Sequence, residues 1–109
     1  MEIKKLSIDE RIPNNEFLYG GYPYYYVEED GIPVSRAFVM GGVLYSVYTL
    51  EPYRRRGFAR TLIIHILQHE QVRELSVREN NQPAIDLYMS LGFRFAKDSH
   101  HIMEYGGVL

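Results

Sequence analysis

The stretch of residues 50–60 joins two segments with different periodicity, and this junction constrains the fold more than any other feature. Residues 43–50, before it, are rich in Tyr and Val, which is typical of a β-strand. After it, apolar residues recur at helical spacing, so we expect a helix over about residues 57–70. Pro52 has no N–H group to give to a sheet and ends the strand. The junction therefore predicts a strand, a loop and a helix in direct succession.

The loop before this helix combines arginines with small residues. Gly57 and Ala59 leave the backbone largely uncovered, and the unpaired N–H groups at a helix start attract anions. Four arginines surround this start: Arg54, Arg55, Arg56 and Arg60. The arrangement suits a multiply charged phosphate ligand, although a solvated loop is the alternative for an Arg-rich turn taken alone. The loop is not a Walker loop, and the chain has no Gly-x-Gly-x-x-Gly fingerprint.

A second segment, residues 75–93, predicts a short strand, a polar turn and a helix. Asn81 is a good N-cap, and Pro83 falls in the first turn, where its missing N–H costs nothing. Gly92 suits the position just after the helix. Four residues share one face at helical spacing: Ala84, Leu87, Tyr88 and Leu91. Taken alone, this pattern is typical of an ordinary amphipathic helix.

Together, the two segments resemble the GNAT superfamily of acyl-CoA-dependent N-acyltransferases. The first matches the pattern Arg/Gln-x-x-Gly-x-Gly/Ala through Arg54, Gly57 and Ala59. The second matches Val-x-x-x-Asn-x-x-Ala-x-x-Leu-Tyr-x-x-x-Gly-Phe through Val77, Asn81, Ala84, Leu87, Tyr88, Gly92 and Phe93. The resemblance covers about residues 24–105. It implies an α/β (α+β) fold, with a mixed, mostly antiparallel sheet splayed around the cofactor and two main helices.

Composition sets bounds on the class of protein. A chain of 109 residues is expected to form a single domain, residues 1–109. The net charge of −2 argues against a nucleic-acid partner. The chain has no cysteine, so a disulfide framework and a thiol nucleophile are excluded. No apolar run approaches the ~20 residues of a membrane span. We therefore expect a cytoplasmic protein without a membrane partner.

Further strands are predicted at residues 1–8, 24–28, 34–40, 72–78, 95–97 and 102–105. Two-residue turns are expected at Asp30-Gly31 and Gly41-Gly42. Members of the GNAT superfamily normally place two helices after the first strand, but residues 9–21 are too few for two average helices of ~11–12 residues each. This implies an open acceptor side, which fits either a large or flexible substrate or a second subunit in a homodimer.

Tyrosines cluster in residues 22–26, immediately after this short segment. Core packing is one explanation for them, and an interface or the covering of exposed apolar surface is the other. Because side chains alternate along a strand, four tyrosines in five residues cannot all point to one side.

The resemblance also implies roles for individual residues. Tyr88 would be the catalytic general acid, because a phenol with pKa ~10 is protonated at neutral pH and can donate to a departing thiolate. Asn81 would bind the pantetheine arm of acetyl-CoA. Backbone groups of Tyr48, Thr49 and Leu50 would pair with the pantetheine amides. The pyrophosphate would be held by Arg54, Arg55, Arg56, Gly57, Phe58, Ala59 and Arg60. No metal is expected.

A general base is not evident in the sequence. Ser76 stands where some GNAT relatives carry a glutamate, and residues 43–50 contain no acidic side chain. Glu51 and Glu79 are near in sequence, in an orientation that the sequence does not determine. His65 and His69 are four residues apart, but no third metal ligand accompanies them. His100 and His101 fall in the closing hairpin, where substrate contact or proton relay is an alternative to a solvated role.

The leading functional hypothesis is an N-acetyltransferase that moves an acetyl group from acetyl-CoA to a primary amine of a small molecule or protein. The alternative is a non-catalytic module that binds acyl-CoA or another protein. An RNA-binding domain that uses the arginines and tyrosines is a weaker hypothesis, because the net charge is slightly negative.

Overall fold

The computed structural model describes residues 2–6 and 24–106. Its strands and helices are β1 Glu2–Leu6, β2 Tyr24–Glu29, β3 Ile32–Met40, β4 Val43–Thr49, α1 Phe58–His69, β5 Glu74–Ser76, α2 Gln82–Ser90, β6 Phe93–Phe95 and β7 Ile102–Tyr105. A short 3₁₀ turn, Glu51–Tyr53, lies between β4 and α1. Segment 9–21 and Tyr22 lie outside the described residues.

Within the described residues, the strands form one seven-stranded sheet in the order β1-β2-β3-β4-β5-β7-β6. All neighbouring strands are antiparallel except β4 and β5, which run parallel. The β4–β5 pairing consists of Val43 with Glu74 and Leu44 with Leu75. Residues 45–49 of β4 continue beyond this pairing, so the sheet opens there into a cleft. The predicted mixed, mostly antiparallel sheet with two main helices is confirmed.

Both two-residue hairpin turns are present where the sequence predicts them. Asp30 and Gly31 have φ values of 53° and 77°, and Gly41 and Gly42 have 60° and 81°. Positive φ at both central residues is the feature that matches a tight turn to the twist of the flanking strands. Glycine and aspartate tolerate this conformation better than most residues. The turns therefore fix β2, β3 and β4 as a continuous antiparallel meander.

Helix α1 packs on β2, β3 and β4 and forms the centre of the core. Its buried residues are Phe58, Leu62, Ile63 and Ile66, which recur at helical spacing. They pack against Val27, Val34, Ala37 and Leu44 from the meander. The predicted helix, about residues 57–70, is one residue longer at each end than the observed one. This apolar face fixes α1 with its N-terminal turn beside the end of β4.

The three tyrosines of β2 are all buried, with 2%, 3% and 6% of Tyr24, Tyr25 and Tyr26 exposed. Tyr25 packs towards α1, where its hydroxyl donates to Glu70 Oε1 at 2.7 Å. Tyr24 lies on the other face of the sheet, against the Phe38 ring at 5.0 Å. The strand thus buries tyrosines on both faces, which supports core packing for these three residues.

The last strands differ from the predicted boundaries. The strand predicted at residues 95–97 is wrong by two positions, because β6 spans Phe93–Phe95. Phe93 is fully buried between Tyr88 and Tyr105, so the strand starts immediately after Gly92 ends the helix. The strand predicted over residues 72–78 is confined to Glu74–Ser76. No helix in the described part of the chain is long and apolar enough to cross a membrane.

Helix α2 has the predicted caps at both ends. The Asn81 side chain accepts a hydrogen bond from the Ala84 N–H at 3.3 Å, and Gly92 follows the helix with φ 101°. We expect Asn81→Ala to lower the free energy of unfolding of the ligand-free protein by ~1 kcal/mol, as measured by urea denaturation. Asn81→Asp keeps the accepting oxygen and serves as the control. Equal stability of the alanine variant and the wild type would contradict this role.

Candidate functional site

A cavity of about 690 Å³ opens where β4 separates from β5, between the start of α1 and one face of α2. Ten of the predicted site residues line it: Tyr48, Thr49, Arg54, Arg55, Gly57, Phe58, Ala59, Arg60, Asn81 and Tyr88. Leu50 and Arg56 do not. The cavity thus brings together parts of residues 50–60 and of residues 75–93, the two segments that resemble the GNAT superfamily.

Five lining residues were not predicted as site residues: Val47, Tyr53, Pro83, Ala84 and Leu87. Pro83, Ala84 and Leu87 lie on the same side of α2 as Tyr88, which places this side of the helix along the cavity. The helical spacing of Ala84, Leu87 and Tyr88 was visible in the sequence, but it was equally consistent with a core face. No local signal marked Val47 or Tyr53.

The start of α1 presents unpaired backbone donors to the cavity. Gly57, the N-cap, has φ 83°, in the left-handed region that favours glycine. The Thr61 N–H donates to the Gly57 carbonyl at 3.0 Å. The N–H groups of Phe58, Ala59 and Arg60 precede this bond, so the helix itself provides no acceptor for them. With the helix dipole they form a site suited to an anion.

Tyr88 lies in the cavity wall, and the pKa of its hydroxyl is strongly raised. It is 7% exposed, and its ring packs edge-on against Phe93 at 6.0 Å. Burial raises the pKa of the Tyr88 hydroxyl to about 12. In the described part of the chain, this hydroxyl has no hydrogen-bond partner. The phenol is therefore protonated at neutral pH and available to a ligand.

Asn81 is the N-cap of α2 and also lines the cavity. Its side-chain oxygen is engaged by the Ala84 N–H, which leaves the amide nitrogen as the group that can donate to a ligand. This arrangement is compatible with the predicted contact to a pantetheine arm, through the nitrogen.

The family profile described as FR47-like protein matches residues 37–102, which is more than half of the chain and includes the whole cavity lining. The chain belongs to the FR47-like family, within the GNAT superfamily. No curated protein matches the sequence.

Solved structures agree with this assignment. The ribosomal-protein-S18-alanine N-acetyltransferase from Escherichia coli is 27% identical, with a TM-score of 0.65, over 77% of this chain and 68% of that one. NAA60 from Arabidopsis thaliana, solved with a bisubstrate analogue, is 20% identical, with a TM-score of 0.60, over 82% and 79%. The yncA protein from Salmonella typhimurium, solved with acetyl-CoA, is 19% identical, with a TM-score of 0.57, over 77% and 62%.

In this FR47-like protein, some of the predicted backbone groups at the end of β4 already have partners. The Leu50 N–H donates to the Val34 carbonyl at 2.9 Å, and the Thr49 carbonyl accepts from Arg54 Nε at 2.9 Å. These two groups hold β4 to β3 and to the arginine loop. The Leu50 N–H and the Thr49 carbonyl are therefore engaged within the chain, and contact between residues 48–50 and the pantetheine amides stays a prediction.

Among the described residues that line the cavity of about 690 Å³, none carries a carboxylate or an imidazole. Glu51 and Ser76 are exposed and do not line it. Glu79 and His100 line a separate cavity of about 620 Å³ with Gln82, Ile85 and Met89. Gln82, Ile85 and Met89 lie on the opposite side of α2 from Pro83, Ala84 and Leu87, so this second cavity lies across α2 from the first.

The two histidines of α1, His65 and His69, do not line the cavity of about 690 Å³. The His65 and His69 rings stack with centroids 4.1 Å apart, and His69 Nδ1 lies 2.8 Å from the His65 carbonyl. Burial and the neighbouring His69 lower the pKa of His65. Across residues 2–6 and 24–106, no group of three His, Cys, Asp or Glu side chains could hold a metal. The two histidines therefore contact each other along the surface of α1, outside the cavity lining.

Proposed function

We propose that this protein is an N-acetyltransferase that transfers the acetyl group of acetyl-CoA to a primary amine by direct attack. The observation that carries the proposal is the composition of the cavity. One part of its wall holds the unpaired N–H groups at the start of α1, and another holds the Tyr88 hydroxyl. A ligand with a diphosphate and a thioester has chemistry that fits these two parts.

The residues present fit such a ligand. The first turn of α1 offers backbone N–H groups and the positive end of the helix dipole to a diphosphate. The Asn81 amide nitrogen is a donor for a pantetheine carbonyl. When bound, acetyl-CoA supplies an acetyl thioester. The transfer forms a bond between the amine nitrogen and the acetyl carbon and breaks the bond from that carbon to sulfur, while the amine loses a proton to solvent.

Tyr88 is the proposed general acid for the departing sulfur. Its pKa of about 12 keeps the phenol protonated, and it donates a hydrogen bond to sulfur as negative charge develops there. A free thiol has a pKa of ~8.5, so complete proton transfer from this phenol is uphill by roughly 3.5 pKa units. The hydrogen bond therefore carries most of the stabilisation, and a proton that Tyr88 passes to the thiolate is restored to the phenolate from solvent, which receives the proton of the amine.

The proposed acceptor is a primary amine that is partly neutral at physiological pH. A lysine ε-amine with pKa ~10.4 is neutral in only about one molecule in 10³ at pH 7, whereas an α-amine at ~7.7–8 needs little help. The cavity provides no carboxylate or imidazole base within the described residues, which favours the α-amine. The E. coli neighbour is named for acetylation of an alanine of a ribosomal protein, which supports a protein amine as a candidate class.

The same absence of a base supports one alternative, a non-catalytic acyl-CoA-binding module. Two measurements separate the alternatives. Isothermal titration calorimetry with CoA tests binding, and release of free thiol from acetyl-CoA with a panel of α-amines and ε-amines tests catalysis. Binding with amine-dependent thiol release supports the transferase. Binding without thiol release on any amine supports the module, and absence of CoA binding would overturn both.

A further inference from the structure

We infer that the second cavity, of about 620 Å³, binds an amphipathic cation, a small molecule in which an ammonium group is joined to an apolar chain or ring. The volume falls in the range of ~300–1,000 Å³ that is typical of small-molecule sites. This cavity lies across α2 from the proposed acetyl-CoA site and shares no lining residue with it. It is therefore a separate site, and its ligand is independent of the proposed function.

The apolar part of the second cavity comes from α2 and β6. Ile85 is 5% exposed, whereas Met89 and Phe95 are 40% and 37% exposed. Ile85 and Met89 share one side of α2 because they are four residues apart, and Phe95 is the last residue of β6. Large apolar side chains that remain exposed along one concave surface mark a ligand site. An apolar group that covers Met89 and Phe95 removes them from water, which favours binding.

The polar part of the second cavity favours a cation. Among the described residues that line it, Glu79 provides the one carboxylate, and none is lysine or arginine. The Gln82 side-chain nitrogen donates to Asp86 Oδ1 at 2.7 Å, which leaves the Gln82 side-chain oxygen as an acceptor. Arg78 and Lys97 are exposed in the neighbouring loops and do not line the cavity. A carboxylate with an acceptor on the same wall complements an ammonium group and repels an anion.

Hydrogen-bonded loops form the walls on either side of α2 in this cavity. In the loop between β6 and β7, the Ala96 N–H donates to the Ile102 carbonyl at 2.9 Å, and the Ile102 N–H donates to Ser99 Oγ at 2.9 Å. In the turn before α2, the Asn81 N–H donates to the Arg78 carbonyl at 2.9 Å. Walls that are already ordered lose less conformational entropy on binding. The cavity is therefore formed before a ligand enters it.

The test uses benzyltrimethylammonium, whose quaternary nitrogen cannot accept an acetyl group, and follows the backbone amide NMR signals of the free protein at pH 7.5. We expect shifts at residues 95–101 and in the turn before α2, none at residues 54–60 of the first cavity, and a dissociation constant on the order of 1–10 mM. Tetramethylammonium lacks the ring and should bind about 10-fold more weakly. Phenylacetate carries the opposite charge and should bind more weakly than benzyltrimethylammonium.

Three variants locate the bound cation. Glu79→Gln should raise the dissociation constant of benzyltrimethylammonium about threefold to tenfold, because it removes the carboxylate. Glu104→Gln is the matched control, since Glu104 is exposed and lines neither cavity, and it should change the constant less than about twofold. Met89→Lys places a cation inside the cavity and should abolish the shifts. Signals outside the cavity that match the wild type show that this variant is folded.

Unchanged affinity in Glu79→Gln, an equal loss in Glu104→Gln, or shifts centred on residues 54–60 would overturn the inference. Tighter binding of phenylacetate than of the cation contradicts it as well. If the signals of residues 95–101 move with protein concentration in the absence of ligand, a second copy of the chain occupies the cavity, and the inference is wrong. These measurements involve no CoA and no acetyl transfer, so their failure is distinct from a failure of the proposed function.

Discussion

Replacement of Tyr88 by phenylalanine should lower kcat by about 100-fold or more, while the dissociation constant of CoA changes less than about threefold, because a positioned proton donor contributes typically 10²–10⁴-fold. The variant keeps the ring that packs against Phe93 and removes only the hydroxyl. Stopped or continuous thiol-release assays give kcat, and calorimetry gives the affinity. The comparison separates a role in the reaction from a role in binding or packing.

Tyr53→Phe is the matched control for this experiment. Tyr53 also lines the cavity and also packs edge-on against a phenylalanine, Phe58, at 6.1 Å. It has no proposed role in proton donation, so loss of its hydroxyl should change kcat far less than the roughly 10²–10⁴-fold typical of a positioned proton donor. Equal kcat in Tyr88→Phe and wild type would remove Tyr88 from the mechanism.

The raised pKa of Tyr88 also predicts the shape of the pH profile. Deprotonation of an α-amine acceptor should raise the rate as the pH passes ~8, because only the neutral amine attacks. Tyr88, with a pKa of about 12, remains protonated throughout this range. We therefore expect kcat/KM to rise and then stay level up to about pH 10, without a decline caused by Tyr88. A decline near pH 8–9 that disappears in Tyr88→Phe would contradict the raised pKa.

Ala59→Asp should reduce CoA affinity at least about 100-fold. Ala59 lies in the first turn of α1 and lines the cavity, so the new carboxylate would stand beside the proposed diphosphate site. Two like unit charges ~4 Å apart at an effective dielectric constant of ~20 repel by about 4 kcal/mol. Such a repulsion corresponds to roughly 10³-fold in affinity, and water in the open cavity reduces it. Calorimetry with CoA measures the effect.

Two controls separate the effect of the new charge from effects of side-chain size and of folding. Ala59→Asn has nearly the same size without the charge, so a smaller loss in this variant isolates the electrostatic contribution. Aspartate in the first turn of a helix is stabilising by ~0.3–1 kcal/mol, so the melting temperature of free Ala59→Asp should not fall. Undiminished CoA binding by a folded Ala59→Asp protein would show that the start of α1 does not hold the diphosphate.

The local features of the fold were predictable because each depends on a few neighbouring residues. Gly41-Gly42 specifies a tight turn, since glycine adopts positive φ without cost. Asn81, Pro83 and Gly92 specify the two ends of α2 through caps that involve groups within the same helix. The helical spacing of Phe58, Leu62 and Ile66 predicts the apolar face of α1, and all three side chains are buried.

The predicted strand at residues 95–97 failed for a reason that is not local. Phe93 belongs to β6 because its ring fills a space between Tyr88 and Tyr105, which come from different elements. The three buried tyrosines of β2 are a similar case. Alternation predicted that they point to two faces, but which contacts would cover each face was not contained in the strand itself.

The sequence by itself determined the order of elements, the turns and caps, and the presence of arginines at the start of a helix, because these follow from the conformational preferences of adjacent residues. Only the tertiary structure decided where β4 leaves β5, how deeply Tyr88 is buried, and which arginines are already engaged. These properties depend on groups far apart in the chain, such as Arg60, which donates to Ser90, and Phe58 and Tyr88, which line the same cavity. The desolvation of Tyr88 and the contacts of the arginine guanidinium groups depend on residues from several elements, so no local sequence pattern specifies them.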